Sequence, residues 1–151
     1  MEYKKDKRTK NLTLRDIHVG DWVQVWSEQT ERYSQPRKIT QICDDGTVYL
    51  EGSEEERSAL WVENIKNVDA LPITPKLLKG FGFKVVKKDF PEYESEVFYN
   101  SRKIGELFEY RNNIYKMVTL WYNYYYFHEF IGYVSDYFPE LLNLQWEGVE
   151  K

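Results

Sequence analysis

The chain has 151 residues and a net charge of −4, from 21 basic against 25 acidic residues, so a surface that coats nucleic acid through bulk charge is excluded. Its single cysteine, Cys43, permits no intrachain disulfide, and no apolar run approaches the eighteen or so residues of a membrane span. This composition points to a cytoplasmic protein in a reducing compartment, of one domain or two small ones, with no membrane association. The unusual figure is 17% aromatic residues, 13 of them tyrosine, a side chain equally suited to a core boundary, a partner interface or a stacking surface.

Residues 1–11 form a polar, basic arm in which Lys4, Lys5, Lys7, Arg8 and Lys10 face only Glu2 and Asp6; it reads as a solvated tail, with nucleic acid an unfavoured partner. From Leu12 onward the composition turns strand-like. Gly20-Asp21 is a turn, and Trp22-Val23-Gln24-Val25-Trp26 is a strand. A polar loop containing Pro36 precedes a strand over 37–42. Asp44-Asp45-Gly46 is a hairpin signal, because an Asp-Gly pair readily takes positive φ, and 47–51 is the returning strand. Glu54, Glu55 and Glu56 mark a charged loop, after which 59–65 makes a fourth strand. The "VGDWV" start and four short strands predict a small SH3-like β-barrel over 12–70.

The joint, LPITPKLLKGFGF at 71–83, carries a complete set of helix signals. Thr74 can cap the helix, Pro75 suits its first turn, Gly82 can end it, and Ile73 with Leu78 can staple its entry. Strands are predicted over 83–87, 96–100, 104–110 and 114–122, with Arg111-Asn112-Asn113 as a hairpin turn. Phe127, Phe130, Ile131, Val134, Phe138, Leu141 and Leu142 then recur at three- and four-residue spacing, the stripe of an amphipathic helix; a break is expected at Pro139, with Pro139 to Leu144 forming a further turn or short helix. The fold class expected is therefore α+β: the small barrel joined to a short antiparallel sheet, residues 71–151, packed against it and covered by a C-terminal aromatic-rich helix.

Taken together, "VGDWV", "DDGTVYLE", "WVENIKNVDALPITPKLLKGFGF" and the "YYFHEFIGYVSDYF" helix resemble an uncharacterised family of proteins encoded by phages and prophages of Bacteroidota. Members carry a "PIPLT…LLKGF"-like joint and a closing helix similar to "YVHQLQNLYFAL", so the joint and His128 are the more specific matches. The Trp121 to Phe127 run and the tail after Pro139 depart from that pattern. The resemblance implies a source and a fold, and it lends no catalytic residue.

The residues do not assemble a catalytic signature. With two histidines and one cysteine there is no zinc spacing, and "GFGF" at 80–83 lacks the context of a dinucleotide loop. No cofactor is expected. The chemistry that remains is binding: Trp22, Trp26, Tyr49 and Trp61, with Tyr122, Tyr125 and His128, offer flat surfaces, and Arg37 offers a cation beside them. The leading expectation is a non-enzymatic protein that docks a protein partner or forms a homo-oligomer. The alternatives are a nucleotide ligand sequestered between aromatic side chains, as an anti-defence protein would do, and weak binding of nucleic acid.

Overall fold

The computed structural model describes residues 9–51, 60–110, 114–119 and 122–148. The basic arm up to Arg8, the Glu54 to Glu56 loop and the Arg111-Asn112-Asn113 turn lie outside the described residues. The chain divides into two compact units, Met1–Leu71 and Pro72–Lys151, each α+β or β in its own right and built on antiparallel sheet.

In the first unit β1 (Trp22–Ser27), β2 (Arg32–Tyr33), β3 (Arg37–Ile42), β4 (Thr47–Glu51) and β5 (Leu60–Asn64) lie in the order β2-β1-β3-β4-β5, and β6 (Val68–Asp69) pairs with β1. The sheet curls because β1 serves three partners along its length: Trp22 and Val23 pair with β3, Gln24 and Val25 with β6, and Trp26 and Ser27 with β2. Its five residues Trp22 to Trp26 are consequently buried on both faces. The β3–β4 hairpin turns where expected, with Gly46 at φ +96° and the Asp45 carboxylate accepting from the Thr47 amide at 3.0 Å. The two-residue strands β2 and β6 carry no run long enough to register as sequence pattern.

The second unit opens with α1 (Pro75–Gly80), whose start follows the sequence signals: the Thr74 hydroxyl accepts from the Leu77 amide at 3.0 Å, and Gly82 leaves the helix at φ +93°. Strands β7 (Lys84–Lys87), β8 (Glu94–Tyr99), β9 (Arg102–Glu109), β10 (Tyr115–Val118) and β11 (Asn123–Tyr124) form a sheet in the order β11-β10-β9-β8-β7. Cross-strand register puts Val97, Leu107, Met117 and Tyr124 on one face, and all four are buried. The helix α2 (Phe127–Val134) contributes Phe127, Phe130, Ile131 and Val134 to the same apolar core.

One expectation is corrected here. The strand expected over 114–122 ends at Val118, because the Thr119 hydroxyl donates to the Tyr122 carbonyl at 2.9 Å and turns the chain back into β11. The break of the terminal helix expected at Pro139 is present, and the helix stops short of that residue. It ends at Val134, and the amides of Asp136, Tyr137 and Phe138 close turns onto Tyr133 and Val134. Pro139 then starts a separate 3-10 turn, Pro139–Asn143, and Phe138 before it has left the helical region, at φ −132° and ψ 77°. Among the described residues no helix is long and apolar enough to cross a membrane.

Candidate functional site

Of the residues that the sequence nominates for binding, four are interior. Trp22 and Trp26 belong to the doubly covered strand β1, and His128 is buried on α2. Arg37 is 3% exposed, since it shares strand parity with the buried Ile39, and its guanidinium carbon sits 3.6 Å from the centre of the Trp61 ring. Arg37, expected as a cation beside the aromatic surfaces, is instead stacked on one of them. Tyr49 is half-buried on β4. Tyr122 is exposed but engages Tyr133 edge-on at 4.9 Å, within a tyrosine cluster that continues to Tyr124 and Tyr137.

Among the described residues of the first unit, a polar cluster is buried around Asp69. The Tyr33 hydroxyl donates to the fully buried Asp69 carboxylate at 2.5 Å, Asn11 donates to the other carboxylate oxygen at 3.0 Å, and the Thr9 amide donates to the Tyr33 hydroxyl at 2.6 Å. Thr9 and Gln24 both donate to the Ala70 carbonyl. Burial, followed by the bond to Asp69, raises the Tyr33 phenol above its ordinary range, which keeps it protonated as a donor rather than a base. The contacts of Thr9 and Asn11 fasten the start of the unit to Asp69 and Ala70, and those of Tyr33 and Gln24 tie β2 and β1 to the same segment, so the cluster's role is to close the unit.

The surface feature with the character of a site belongs to the second unit. On β9 the parity that buries Leu107 sends Glu106 and Phe108 to the opposite face of the sheet, where Phe108 pairs with Lys116 of β10 and Glu94 of β8, and Glu106 with Val118 and Glu96. One end of this outer face is charged. Lys88 bonds Glu94 at 2.8 Å and Glu106 at 2.9 Å, while Lys103 reaches Glu96 at 3.1 Å and Glu106 at 3.2 Å. These lysines offset the cross-strand repulsion between Glu96 and Glu106, and the contact with Lys88 holds the Glu106 carboxyl below its usual range.

The other end is aromatic. Tyr93, Phe108, Glu109, Tyr110 and Ile114 line an open groove of about 570 Å³. Tyr93, Tyr110 and Ile114 are 56%, 51% and 51% exposed, and Phe90, just before Tyr93 in the chain, is 88% exposed. Tyr93 and Phe108 stand 6.3 Å apart with their rings tilted by 43°. Lys116 lies 5.2 Å from the Tyr110 ring centre and 5.8 Å from that of Phe108. Hydrogen bonding to Lys116, and after it to Tyr125, lowers the Tyr110 phenol. That bond ties Tyr125, a nominated residue, to a side chain of the groove, although Tyr125 does not itself line it.

On the inner face, at the same end of the sheet, Pro75 and Lys79 of α1 face Val85, Lys87, Ser95, Leu107 and Tyr115 across a smaller cleft of about 180 Å³. Tyr93 and Glu109 line both hollows. Burial and then the Glu109 charge raise the Tyr115 phenol, whose hydroxyl bonds that carboxylate.

The sequence reading passed over Tyr93, Phe108 and Tyr110, although one signal pointed to them. Strand β9 and the residue after it carry apolar side chains on both parities, Leu107 on one and Phe108 and Tyr110 on the other. A sheet covered by a helix on one side must present one of those sets outward. Among the described residues no group of three or more His, Cys, Asp or Glu side chains could hold a metal ion. No protein-family model matches the chain, no curated protein is similar to it, and no solved structure matches its fold.

Proposed function

We propose that this protein is a non-enzymatic binding module that docks a protein partner on the aromatic groove of its second unit. A single observation carries the reading: Tyr93, Phe108, Tyr110 and Ile114, large apolar side chains of which three are half exposed, line one open groove instead of joining the core. Aromatic side chains clustered at a surface and rimmed by charge are the composition of an interface centre, where a few residues carry most of the binding free energy. The tilt of Tyr93 against Phe108 favours the edge and face of an inserted side chain over a flat base held between parallel rings. The first unit, which we read as a small SH3-like barrel, would then act as scaffold. In line with the family resemblance, we place the protein among phage or prophage accessory proteins acting in the host cytoplasm.

Selection from a random peptide library on immobilised protein tests the proposal. Peptides with a recurring aromatic or aliphatic anchor should be enriched on the wild type and lost on a Phe108→Ser/Tyr110→Ser variant of unchanged melting temperature. Peptides retained equally by both proteins would refute the groove. A thermal shift with mono-, di- or cyclic nucleotides would instead favour the nucleotide reading. A mass that rises with concentration in sedimentation, and only for the wild type, would make a second copy of this chain the partner.

A further inference from the structure

Resting on that reading, we propose that the occupant of the aromatic groove is a second copy of this chain, joined across a two-fold axis so that Phe90 of each copy enters the groove of the other. Phe90 and Tyr93 stand on one short loop, closed at its base by the Lys88 amide donating to the Glu94 carbonyl at 2.9 Å and tightened by the Glu94 amide donating to the Pro91 carbonyl at 3.1 Å. The Lys88 ammonium fixes the same base to the sheet through Glu94 and Glu106, at 2.8 and 2.9 Å. Tyr93 lines the groove, whereas the Phe90 ring is 88% exposed and fills neither the groove nor the core. A projecting apolar ring and an open aromatic hollow therefore lie side by side on one patch.

That adjacency selects the partner. An isologous contact requires one patch to present both the inserting group and its receptor, so that two copies satisfy each other and the assembly closes at two. Area gives the same answer. At roughly 150–250 Å² for each large side chain, the exposed halves of Tyr93, Tyr110 and Ile114 with nearly all of Phe90 amount to roughly 400–500 Å² per copy. Two copies then bury roughly 1,000 Å² in all, the area at which specific interfaces begin. An interface of that size holds in the micromolar range rather than below it.

Charge permits the same contact without driving it. On the outer face Lys88, Lys103 and Lys116 stand against Glu94, Glu96 and Glu106, so this surface meets its own copy without net repulsion. Asp89 and Glu92 flank Phe90 in the chain and Lys116 flanks the rings of Phe108 and Tyr110, so an inserted Phe90 carries acids towards a lysine. Glu109 on the groove wall works against them. The rings rather than the charges must hold the pair, and association should survive high salt.

Sedimentation velocity of the full chain over a range of concentrations tests this. The wild type should pass from monomer to dimer, and no further, across micromolar concentrations, in high salt as in low. Phe90→Ser and Tyr110→Ser should each remain monomeric. Mixed together, these two variants should associate again, more weakly than the wild type but more tightly than either alone, because the mixed pair keeps one intact contact: the Phe90 ring of the Tyr110→Ser copy in the groove of the Phe90→Ser copy. Equal melting temperatures at concentrations below the wild-type transition confirm that both variants are folded. A wild type that stays monomeric while groove-dependent peptides are still selected would overturn self-docking and leave the groove as a site for another protein. A monomer that also selects no anchored peptide would remove the groove itself. A dimer that Tyr110→Ser breaks and Phe90→Ser does not would overturn the inserted ring, and a dimer indifferent to both would put the interface elsewhere. Growth beyond dimers, or dissociation in high salt, would overturn the two-fold apolar contact.

Discussion

Gly105 shows how a single position can be settled by backbone rather than by side chains. It lies on β9 opposite Val97, and a Cβ built there would come within 2.6 Å of the Val118 carbonyl oxygen, which the ladder of β10 holds in place. Gly105→Ala should therefore destabilise the protein by about 1–3 kcal/mol, as overpacking against an atom that cannot move aside does. Chemical denaturation measures this directly. Tyrosine protonation gives a second prediction at this scale. Burial raises the Tyr124 phenol to about 12 and raises that of Tyr33 as well, whereas both return to about 10 on unfolding. A folded pKa above the unfolded one means stability that is complete below pH 10 and is lost as pH climbs from 10 towards 12. Tyr124→Phe should accordingly shift the alkaline unfolding midpoint upward, and an unchanged midpoint would show that the buried phenol plays no part.

Elements in the second unit are held by different means at their ends. The helix Pro75–Gly80 is capped by the Thr74 side chain, whereas Phe127–Val134 has no side-chain cap and depends on the burial of its stripe. Thr74→Ala should cost about 1 kcal/mol, the ordinary worth of a cap. Phe130 is fully buried and meets the rings of Phe83, Tyr124 and Phe127, so Phe130→Ala should cost about 3–5 kcal/mol through lost transfer and an unfilled cavity. Thermal or urea unfolding of the two variants checks the ordering. Comparable losses would mean that the aromatic stripe is less central to the core than its burial implies.

For the whole molecule, the decisive separation is between aromatics that hold the fold and aromatics that the fold displays. Phe81, Phe83, Phe127 and Phe130 are buried among one another, while Phe90, Tyr93 and Tyr110 are largely exposed. Stability and binding should therefore respond to different residues. Tyr110→Ser should leave stability within about 0.5 kcal/mol, since surface changes away from packed features rarely exceed that, while abolishing the selection of anchored peptides. A melting temperature several degrees lower would reassign Tyr110 to the core.

Local chemistry in the chain determined most of the elements. The Asp45-Gly46 turn, the Thr74 cap with Pro75 behind it, and the paired strands Arg37–Ile42 and Thr47–Glu51 all follow from interactions between residues close in sequence. The two short strands Val68–Asp69 and Asn123–Tyr124 were not legible, because a two-residue strand exists only by virtue of its distant partner. The proposed binding surface was illegible for a related reason. Composition cannot say whether Trp22 or Phe108 faces outward: Trp22 is buried because its strand pairs with three others, and Phe108 looks out because Leu107 beside it looks in. Aromatic character is a property of the residue, but exposure is decided by strand pairing and by which face the helix covers, and only the tertiary structure brings those distant segments together.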